Sequence, residues 1–313
     1  MADPPTQVSI VIPAYNHARY LSEAIESVLQ QDYPGVELIV IDDGSTDATQ
    51  QVLQSYGDRF AWWTQPNGGQ SRTLNAGWNR SRGDVLGYLS ADDRLSPAAV
   101  RRAVEVLDAR PDVSVVYSDY DLIDPLSRRV RTVRTRDFDL VSMVANVDCT
   151  VGPGAFFRRS AFEQSGGWST DLRQSPDLDY WFRVAMIGEF QRIPEVLAGF
   201  RVHEESQTFA VADTQRAEEA LVIIERLFAR TDVPERLIPY RARAMGLSHV
   251  RAARQHFRGG RLRQGLRSMS RAARIAPTSL LTVRAMRLLV NAVVARAGYR
   301  LLWRVRPQDR SAS

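Results

Sequence analysis

The chain has 313 residues, of which 44% are hydrophobic and 25% are charged. This balance is typical of a soluble globular protein and excludes disordered and collagen-like chains. The single cysteine, Cys149, excludes an internal disulfide framework and a zinc site built on cysteines.

Charge is distributed unevenly along the chain. All 41 basic residues are arginine, and after Tyr240 there are 17 arginines but one acidic residue, Asp309. Residues 1–240 hold 24 arginines and 35 acidic residues, so an acidic body precedes a basic tail. This contrast and the element pattern below predict one domain over 1–210 and an arginine-rich helical extension over 211–313.

No targeting segment is expected. The opening stretch, MADPPTQ, lacks the basic region and apolar run of a secretory signal. No apolar run reaches the roughly 18 residues of a transmembrane helix. We therefore expect a cytoplasmic protein, peripheral at most on the inner face of the membrane.

Strand and helix patterns alternate through the first half. Short β-branched and aromatic runs predict strands over 8–15, 36–45, 60–65, 85–89 and 113–123. Helices are expected between them, with Asn16, Ser45 and Ser96 as N-caps of three of them. This alternation predicts βαβ units and an α/β fold with a mostly parallel sheet flanked by helices.

The second half is predicted to become helical. Shorter strands and one helix, 177–187, are expected before residue 210, and helices with breaks near 232–234, 259–260 and 277 follow. Residues 253–277 have the small–aromatic–Gly–Ala–Pro spacing of a single tetratricopeptide-type hairpin. One such unit cannot bury its own face, so a helical pair packed on the first domain is the expected structure.

Unusual residues follow four of the predicted strands. They are Pro13-Ala14-Tyr15, Asp42-Asp43, Asn67-Gly68-Gly69 and Asp92-Asp93. Ligands of parallel α/β sheets bind at the carboxyl ends of the strands. The sequence therefore predicts a nucleotide-type site at this edge.

Seven motifs in order resemble family 2 glycosyltransferases with the GT-A fold, over about residues 6–208. They are VSIVIPAYN, IVIDDGSTD, NGGQSRTLNAG, YLSADD, FFRRSAFEQSGGW, SPDLDYW and FRVHEESQT. The resemblance implies transfer of a sugar from a nucleotide-sugar donor to an acceptor hydroxyl, with inversion and a divalent metal. A UDP-sugar is the favoured donor, and Mn²⁺ or Mg²⁺ the expected cofactor.

The resemblance also implies the donor contacts. Pro13, Ala14 and Tyr15 lie at the end that holds the base, and Asp43 accepts a hydrogen bond from it. Further donor contacts are assigned to Asn67, Gly69, Asn75 and Arg201. The alternative is structural: a turn and helix cap at Asp42–Ser45, and a tight turn followed by a packed polar residue at Asn67–Asn75.

Asp92 and Asp93 are the predicted metal ligands. Mg²⁺ and Mn²⁺ are held by one or two carboxylates together with substrate phosphates and water. The family usually has an acid where Ser90 stands, so Asp93 is expected as the principal ligand and Asp92 as support. His203 matches a family position that reaches the metal or diphosphate, and a purely structural histidine is the alternative.

Asp177 is the predicted catalytic base, because the family's base is the acid four residues before the tryptophan, here Trp181. Asp179 lies two residues further along the helix and so points elsewhere; a structural role or a contact to the donor sugar is expected for it. Pro176 replaces the glutamate common before the base. Trp181 is expected in the core rather than as a sugar platform.

Three interpretations of the basic tail remain open. They are attraction to an anionic membrane surface, binding of a polyanion, and solvated helix faces; nucleic acid is not expected as a partner. A saccharide or lipid-linked acceptor in cell-envelope or exopolysaccharide synthesis would fit the first. The competing hypothesis for the whole chain is a non-catalytic nucleotide-sugar-binding or scaffold protein of the same fold.

Overall fold

The computed structural model describes residues 5–203, 206, 211–281, 285, 286 and 288. Their strands are β1 (Val8–Ala14), β2 (Val36–Asp42), β3 (Ala61–Thr64), β4 (Val85–Tyr88), β5 (Arg94–Leu95), β6 (Val113–Ile123), β7 (Arg129–Val133), β8 (Phe156–Arg158) and β9 (Glu189–Arg201). The α-helices are α1 (Ala18–Leu29), α2 (Thr49–Ser55), α3 (Gln70–Arg80), α4 (Ala99–Ala109), α5 (Leu140–Asn146), α6 (Arg159–Ser165), α7 (Pro176–Val184), α8 (Thr214–Ala229), α9 (Arg241–Arg258) and α10 (Leu262–Ile275). Short 3₁₀ turns cover Glu235–Tyr240 and Pro277–Ser279.

The nine strands of the described chain form one sheet in the order β3-β2-β1-β4-β8-β6-β9-β5, with β7 beside β6. The first four strands pair in parallel, and so do β6 and β9 along most of their length. The shorter β5, β7 and β8 pair antiparallel with their neighbours. The prediction of a mostly parallel sheet flanked by helices is confirmed.

β1 lies between β2 and β4 in the parallel part of the sheet and is buried along its length apart from Pro13. The predicted apolar stripe of α1 packs on it: Tyr20, Leu21, Ala24, Ile25 and Val28 are all buried. Residues at helical spacing share one face, so this stripe closes one side of the sheet. This packing fixes the carboxyl ends of β1, β2 and β4, next to which the predicted site residues stand.

Three helix starts differ from the predictions. The chain enters α1 at Ala18, α2 at Thr49 and α4 at Ala99, and in none of the three does the residue just before the helix accept a capping hydrogen bond. The expected caps were wrong because Asn16 and Ser45 hydrogen-bond to each other's loops, and because the Gln31 side chain, not Ser96, accepts the Val100 N–H at the start of α4. The predicted breaks near 232–234, 259–260 and 277 are confirmed by the ends of α8, α9 and α10.

The chain divides into two compact units: residues 1–140 with 149–207, and residues 141–148 with 208–313. The second unit thus includes α5, a segment that the predicted division at 210 assigns to the first domain. Within the second unit α9 packs against α8 and α10, which gives the expected helical pair its neighbour.

No helix among the described residues is long and apolar enough to cross a membrane. The end of the predicted arginine-rich extension, with Arg284, Arg287, Asn291 and the apolar stretch 288–295, lies outside the described residues except for residues 285, 286 and 288.

Candidate functional site

Three parallel strands end side by side at the edge predicted to hold the site. β1 lies between β2 and β4, so the loops that follow Ala14, Asp42 and Tyr88 leave the sheet at one edge. Buried strands anchor all three loops on one side. The sheet therefore brings the predicted residues at 13–15, 43 and 92–93 to the same edge.

The loop after β1 is fixed by the loop after β2. Asn16 has a positive φ of 55°, and its backbone N–H donates to Ser45 Oγ at 2.9 Å. The Asn16 Oδ1 atom accepts the Thr46 N–H at 2.8 Å, and Asp47 accepts the Ala18 N–H at 3.1 Å. These hydrogen bonds between the two loops hold Tyr15 at the surface, with 46% of its area exposed.

Asp43 organises the turn that carries Asn67 and Gly69. Its buried carboxylate accepts the Gly68 and Gly69 N–H groups at 2.9 and 2.7 Å and the Gln65 side-chain amide at 3.0 Å. Gly69 has a positive φ of 86°, a conformation that favours glycine. A carboxylate offers about four acceptor positions, so one is left for a ligand.

Asn75 joins two predicted motifs. Its amide nitrogen donates to the Trp168 carbonyl, and its amide oxygen accepts the Trp168 N–H, both at 2.8 Å. A Cβ atom on Gly167 would lie 2.1 Å from the Asn75 oxygen, so any larger residue there would force the Asn75 side chain to move. Asn75 therefore positions the Gly166–Trp168 turn.

Asp92 and His203 form a pair after β4. The His203 Nε2 atom lies 2.9 Å from Asp92 Oδ2. His203 is buried against Tyr20, and the Asp92 side chain keeps 15% of its surface exposed. Burial opposes ionisation of Asp92, but the His203 hydrogen bond and the charges of His17 and His203 hold its pKa below the usual value.

Asp93 is turned into the protein. It is 2% exposed, and its Oδ1 atom accepts the Arg201 N–H at 2.8 Å. Burial, with the adjacent Asp92 charge, raises the pKa of Asp93 well above its usual range. The sequence favours Asp93 as the principal ligand, whereas in the structure Asp92 has the more accessible carboxylate.

Arg201 hydrogen-bonds to both members of this acidic pair. Its guanidinium is 1% exposed at the side chain and donates to the Asp92 carbonyl at 2.7 Å and to Glu23 Oε2 at 2.6 Å. Further bonds reach the Asp124 carbonyl and the Ser127 hydroxyl. In this arrangement Arg201 fixes the backbone of the site, and the predicted donor contact would require it to leave these partners.

These residues suit a divalent cation in part. Among the described residues no cluster of three or more His, Cys, Asp or Glu side chains is arranged to hold a metal. Two adjacent carboxylates and an imidazole are nonetheless present. Burial is the main cause of the raised Asp93 pKa, and a cation would relieve the second cause, repulsion by Asp92. Magnesium and manganese sites complete such incomplete sets with phosphate oxygens and water.

Asp177 lies half-buried in the first turn of α7. Burial raises the pKa of Tyr88 well above its usual value, and the charge of Asp177 adds to this, followed by those of Cys149 and Asp93. The charges of Asp177 and Asp93 therefore both favour the neutral form of the same phenol. The sequence interpretation assigned no role to Tyr88.

Asp179 and Trp181 have structural surroundings. Asp179 is buried, accepts the Ser169 hydroxyl at 2.6 Å and pairs with Arg183 at 2.9 Å. Trp181 is 1% exposed and packs edge-on against Phe157, as expected for a core residue. The two acids of α7 therefore have different environments.

The sequence interpretation also missed Glu23 and the hydrogen bonds between the loop after β1 and the loop after β2. Glu23 lies on the polar side of α1 and accepts from both Arg201 and the Ser127 hydroxyl. The one sequence feature that could have indicated these loop contacts is the polar run Ser45–Asp47 after β2. The same run is equally typical of a helix cap.

Comparison with known proteins identifies the family and the fold. A family model described as glycosyl transferase family 2 matches residues 9–166. An uncharacterized glycosyltransferase of Rickettsia typhi is 32% identical over 68% of this chain and 70% of its own length. A relative from Rickettsia conorii, 30% identical, is matched over only 35% of its length.

Two solved structures share the fold. One is Staphylococcus aureus TarS, residues 1–349, in complex with UDP-GlcNAc, with a TM-score of 0.66, 15% identity and coverage of 94% of this chain and 92% of that one. The other is a Pyrobaculum calidifontis mannosyltransferase in complex with GDP-Man and Mn²⁺, with a TM-score of 0.61, 19% identity and coverage of 97% and 89%. The predicted GT-A fold and the resemblance are both confirmed.

Proposed function

The chain belongs to glycosyl transferase family 2, and we propose that it transfers a sugar from a nucleotide-sugar donor to an acceptor hydroxyl with inversion and metal assistance. The observation that carries this proposal is the cluster at the end of β4. There Asp92 pairs with His203, and the charge of Asp177 adds to burial in raising the pKa of the nearby Tyr88. A cation-holding group and a proton-accepting carboxylate near one strand end are what glycosyl transfer requires.

The donor nucleotide is assigned to the edge formed by β1 and β2. Tyr15 presents an exposed ring there, with Pro13 and Ala14 behind it, and Asp43 keeps one acceptor position for a base or ribose donor. Asn67 and Gly69 line the turn that Asp43 holds, and Asn75 supports the neighbouring Gly166–Trp168 turn. We favour a UDP-sugar, which is supported by the shared fold of the UDP-GlcNAc complex.

The metal is assigned to Asp92 and His203, with Asp93 as the second carboxylate and Arg201 fixing the backbone beneath them. When bound, Mn²⁺ or Mg²⁺ would act as a Lewis acid that stabilises charge on the departing diphosphate. Asp92 is the accessible member of the pair, so it offers the first oxygen to the cation. The Asp93 carboxylate accepts the Arg201 backbone N–H and so fixes the acidic pair to β9.

Asp177 is assigned as the base. The acceptor oxygen forms the new bond to the anomeric carbon while the bond from that carbon to the diphosphate oxygen breaks. The acceptor's proton passes to the Asp177 carboxylate, and attack opposite the leaving group inverts the anomeric centre. The bound geometry must bring the hydroxyl within hydrogen-bond reach of Asp177.

The biological setting is proposed on chemical grounds. A saccharide or lipid-linked acceptor would place the enzyme in cell-envelope or exopolysaccharide synthesis, at the cytoplasmic side of the membrane. The absence of a membrane-spanning helix among the described residues is compatible with a peripheral location.

A transfer assay tests the proposal. The purified chain is incubated with UDP-sugars or GDP-sugars, with and without Mn²⁺, and release of the nucleoside diphosphate is measured. We expect release from one donor class that depends on the metal. Donor binding without any release, for every acceptor class tried, would favour the non-catalytic binding protein.

A further inference from the structure

The second unit carries a strong positive charge that the site does not use. Residues 241–281 contain ten arginines and no acidic residue. These residues form α9, α10 and the short turn after α10. A segment with this composition needs solvent or an anionic partner around it.

α10 packs on α9 through a face of small residues. Gly265, Ser268 and Ala272 are buried along α10. A Cβ atom on Gly265 would lie 2.3 Å from the Phe257 ring of α9, so the two helices approach closely there. The large apolar side chains of α10 are therefore left for another face.

The other side of α10 presents an apolar row. Leu262, Leu266, Met269 and Ala273 recur at intervals of four, three and four residues, which places them on one face. Leu262 and Leu266 are 63% and 64% exposed. Exposed leucines in a row, rather than singly, indicate an interaction surface.

An arginine row runs beside the apolar row at the same spacing. It consists of Arg263 and Arg267. Arg274, further along the helix, donates to Ser270 at 3.0 Å and lines a cavity together with Glu218 and Glu225. No ion pair joins these arginines to a carboxylate of the described residues. The apolar row and the arginine row together are called the α10 face below.

The geometry points to an anionic lipid surface as the occupant, and we propose that the α10 face binds a bilayer that contains acidic phospholipids. A helix with leucines beside arginines can lie in the membrane interface, with the leucines entering the acyl boundary and the arginines meeting phosphate groups. The chain's remaining residues, 282–313, include the apolar stretch 288–295, but they carry seven arginines and one acid, so covering the α10 face with them would bring positive charge against its arginine row. A second copy would bring the same charge, and nucleic acid would leave the leucines exposed to water.

Vesicle binding tests the proposal without any reference to glycosyl transfer. The full chain is sedimented with phosphatidylcholine vesicles that contain or lack phosphatidylglycerol. Two arginines near an anionic surface predict about 25-fold stronger partition onto the phosphatidylglycerol vesicles, at about fivefold per arginine. Salt should weaken this binding by screening.

Variants separate the two rows. Leu262→Ser with Leu266→Ser should reduce partition by about tenfold or more per leucine. Arg263→Gln with Arg267→Gln should remove most of the preference for phosphatidylglycerol. Ile238→Ser and Arg236→Gln are the matched controls, because both side chains are exposed in the same unit but outside α10; they should bind as wild type.

A labelled residue locates the contact. A polarity-sensitive dye attached through Leu266→Cys, in a Cys149→Ser background, should shift to the blue on phosphatidylglycerol vesicles, whereas the same dye at Ile238→Cys should not. The proposal is overturned by wild-type binding to heparin but not to vesicles, by unchanged partition of the leucine variant, or by no shift at position 266.

Discussion

Asp43, Asn75 and Arg201 are polar side chains whose hydrogen bonds are made largely within the protein. Each of them fixes backbone: the Gly68–Gly69 turn, Trp168, and the Asp92 carbonyl respectively. Removing one partner of a buried hydrogen bond costs about 1–3 kcal/mol. Variants at these positions should therefore change stability and donor affinity together.

Asp177 offers a cleaner test, because its proposed role is chemical. Asp177→Asn keeps the shape of the side chain but cannot accept the acceptor's proton. A positioned base contributes roughly 10²–10⁴-fold, so kcat should fall by about that factor. Thermal stabilisation by UDP should remain, because Asp177 is not assigned to the nucleotide.

Glu163→Gln is the control for that variant, since Glu163 is an exposed acid on α6. It should retain wild-type kcat. Unchanged turnover in Asp177→Asn would assign the base to another residue.

Asp92 should govern the metal requirement. In Asp92→Asn a charged ligand is lost and the His203 contact weakens, so the Mn²⁺ concentration for half-maximal activity should rise by about tenfold or more. Titration of activity with Mn²⁺ at saturating donor measures this. Asp84→Asn, an exposed acid just before β4, should leave the titration unchanged, and an equal response of the two variants would contradict the assignment.

The loops act as elements through their mutual contacts. α3 reaches the Gly166–Trp168 turn through Asn75, with no space for a Cβ atom on Gly167. Gly167→Ala should lower the free energy of unfolding by about 1–3 kcal/mol because Asn75 must move. Urea unfolding measures the loss.

A double variant identifies the cause. In Asn75→Ala the clashing oxygen is absent, so Gly167→Ala should cost much less in that background. Additive losses in the double variant would show that backbone conformation, not Asn75, excludes alanine at 167.

In α9 the buried His249 links stability to pH. Burial, with the Arg271 charge, lowers the His249 pKa against a smaller opposing effect of Glu218. The unfolded state therefore binds more protons than the folded state below about pH 6.5, so this residue's contribution to stability falls as the pH falls. His249→Leu should flatten the decline of the urea midpoint between pH 7.5 and 5.5, a window set by the reference value near 6.5.

Met245→Leu is the matched variant, since Met245 lines the same cavity as His249 but does not titrate. It should keep the wild-type pH dependence. A wild-type slope in His249→Leu would mean that other groups cause the decline.

Donor and metal should stabilise the whole molecule by mass action. A ligand at about 100 times its dissociation constant adds about 2.7 kcal/mol to the folded state. For a chain of this size we expect UDP with Mn²⁺ to raise the Tm by several degrees, and more than either alone. GDP with Mn²⁺ is the matched comparison. A larger rise in Tm with GDP than with UDP would make a GDP-sugar the favoured donor.

Much of the fold was predictable from local pattern. β6 spans 113–123 as predicted, and the buried stripe of α1 follows its apolar spacing. Helix starts were less predictable, because Asn16 and Ser45 are as suitable for a cap as for the loop contact that they make. Tyr88 escaped notice because nothing in a strand residue's neighbours along the chain reveals a charge that approaches from α7.

The sequence by itself determined the family and the GT-A fold, and it predicted the strand edge of the candidate site, because strand period, strand-end residues and motif order are local properties of the chain. Only the tertiary structure decided which carboxylate of the acidic pair is accessible, since Asp92 and Asp93 are neighbours in sequence and equal in chemistry. Asp93 turns inward because a backbone N–H from β9, 108 residues away, satisfies it. Burial and long-range hydrogen bonds depend on the packed sheet, and no local pattern encodes them.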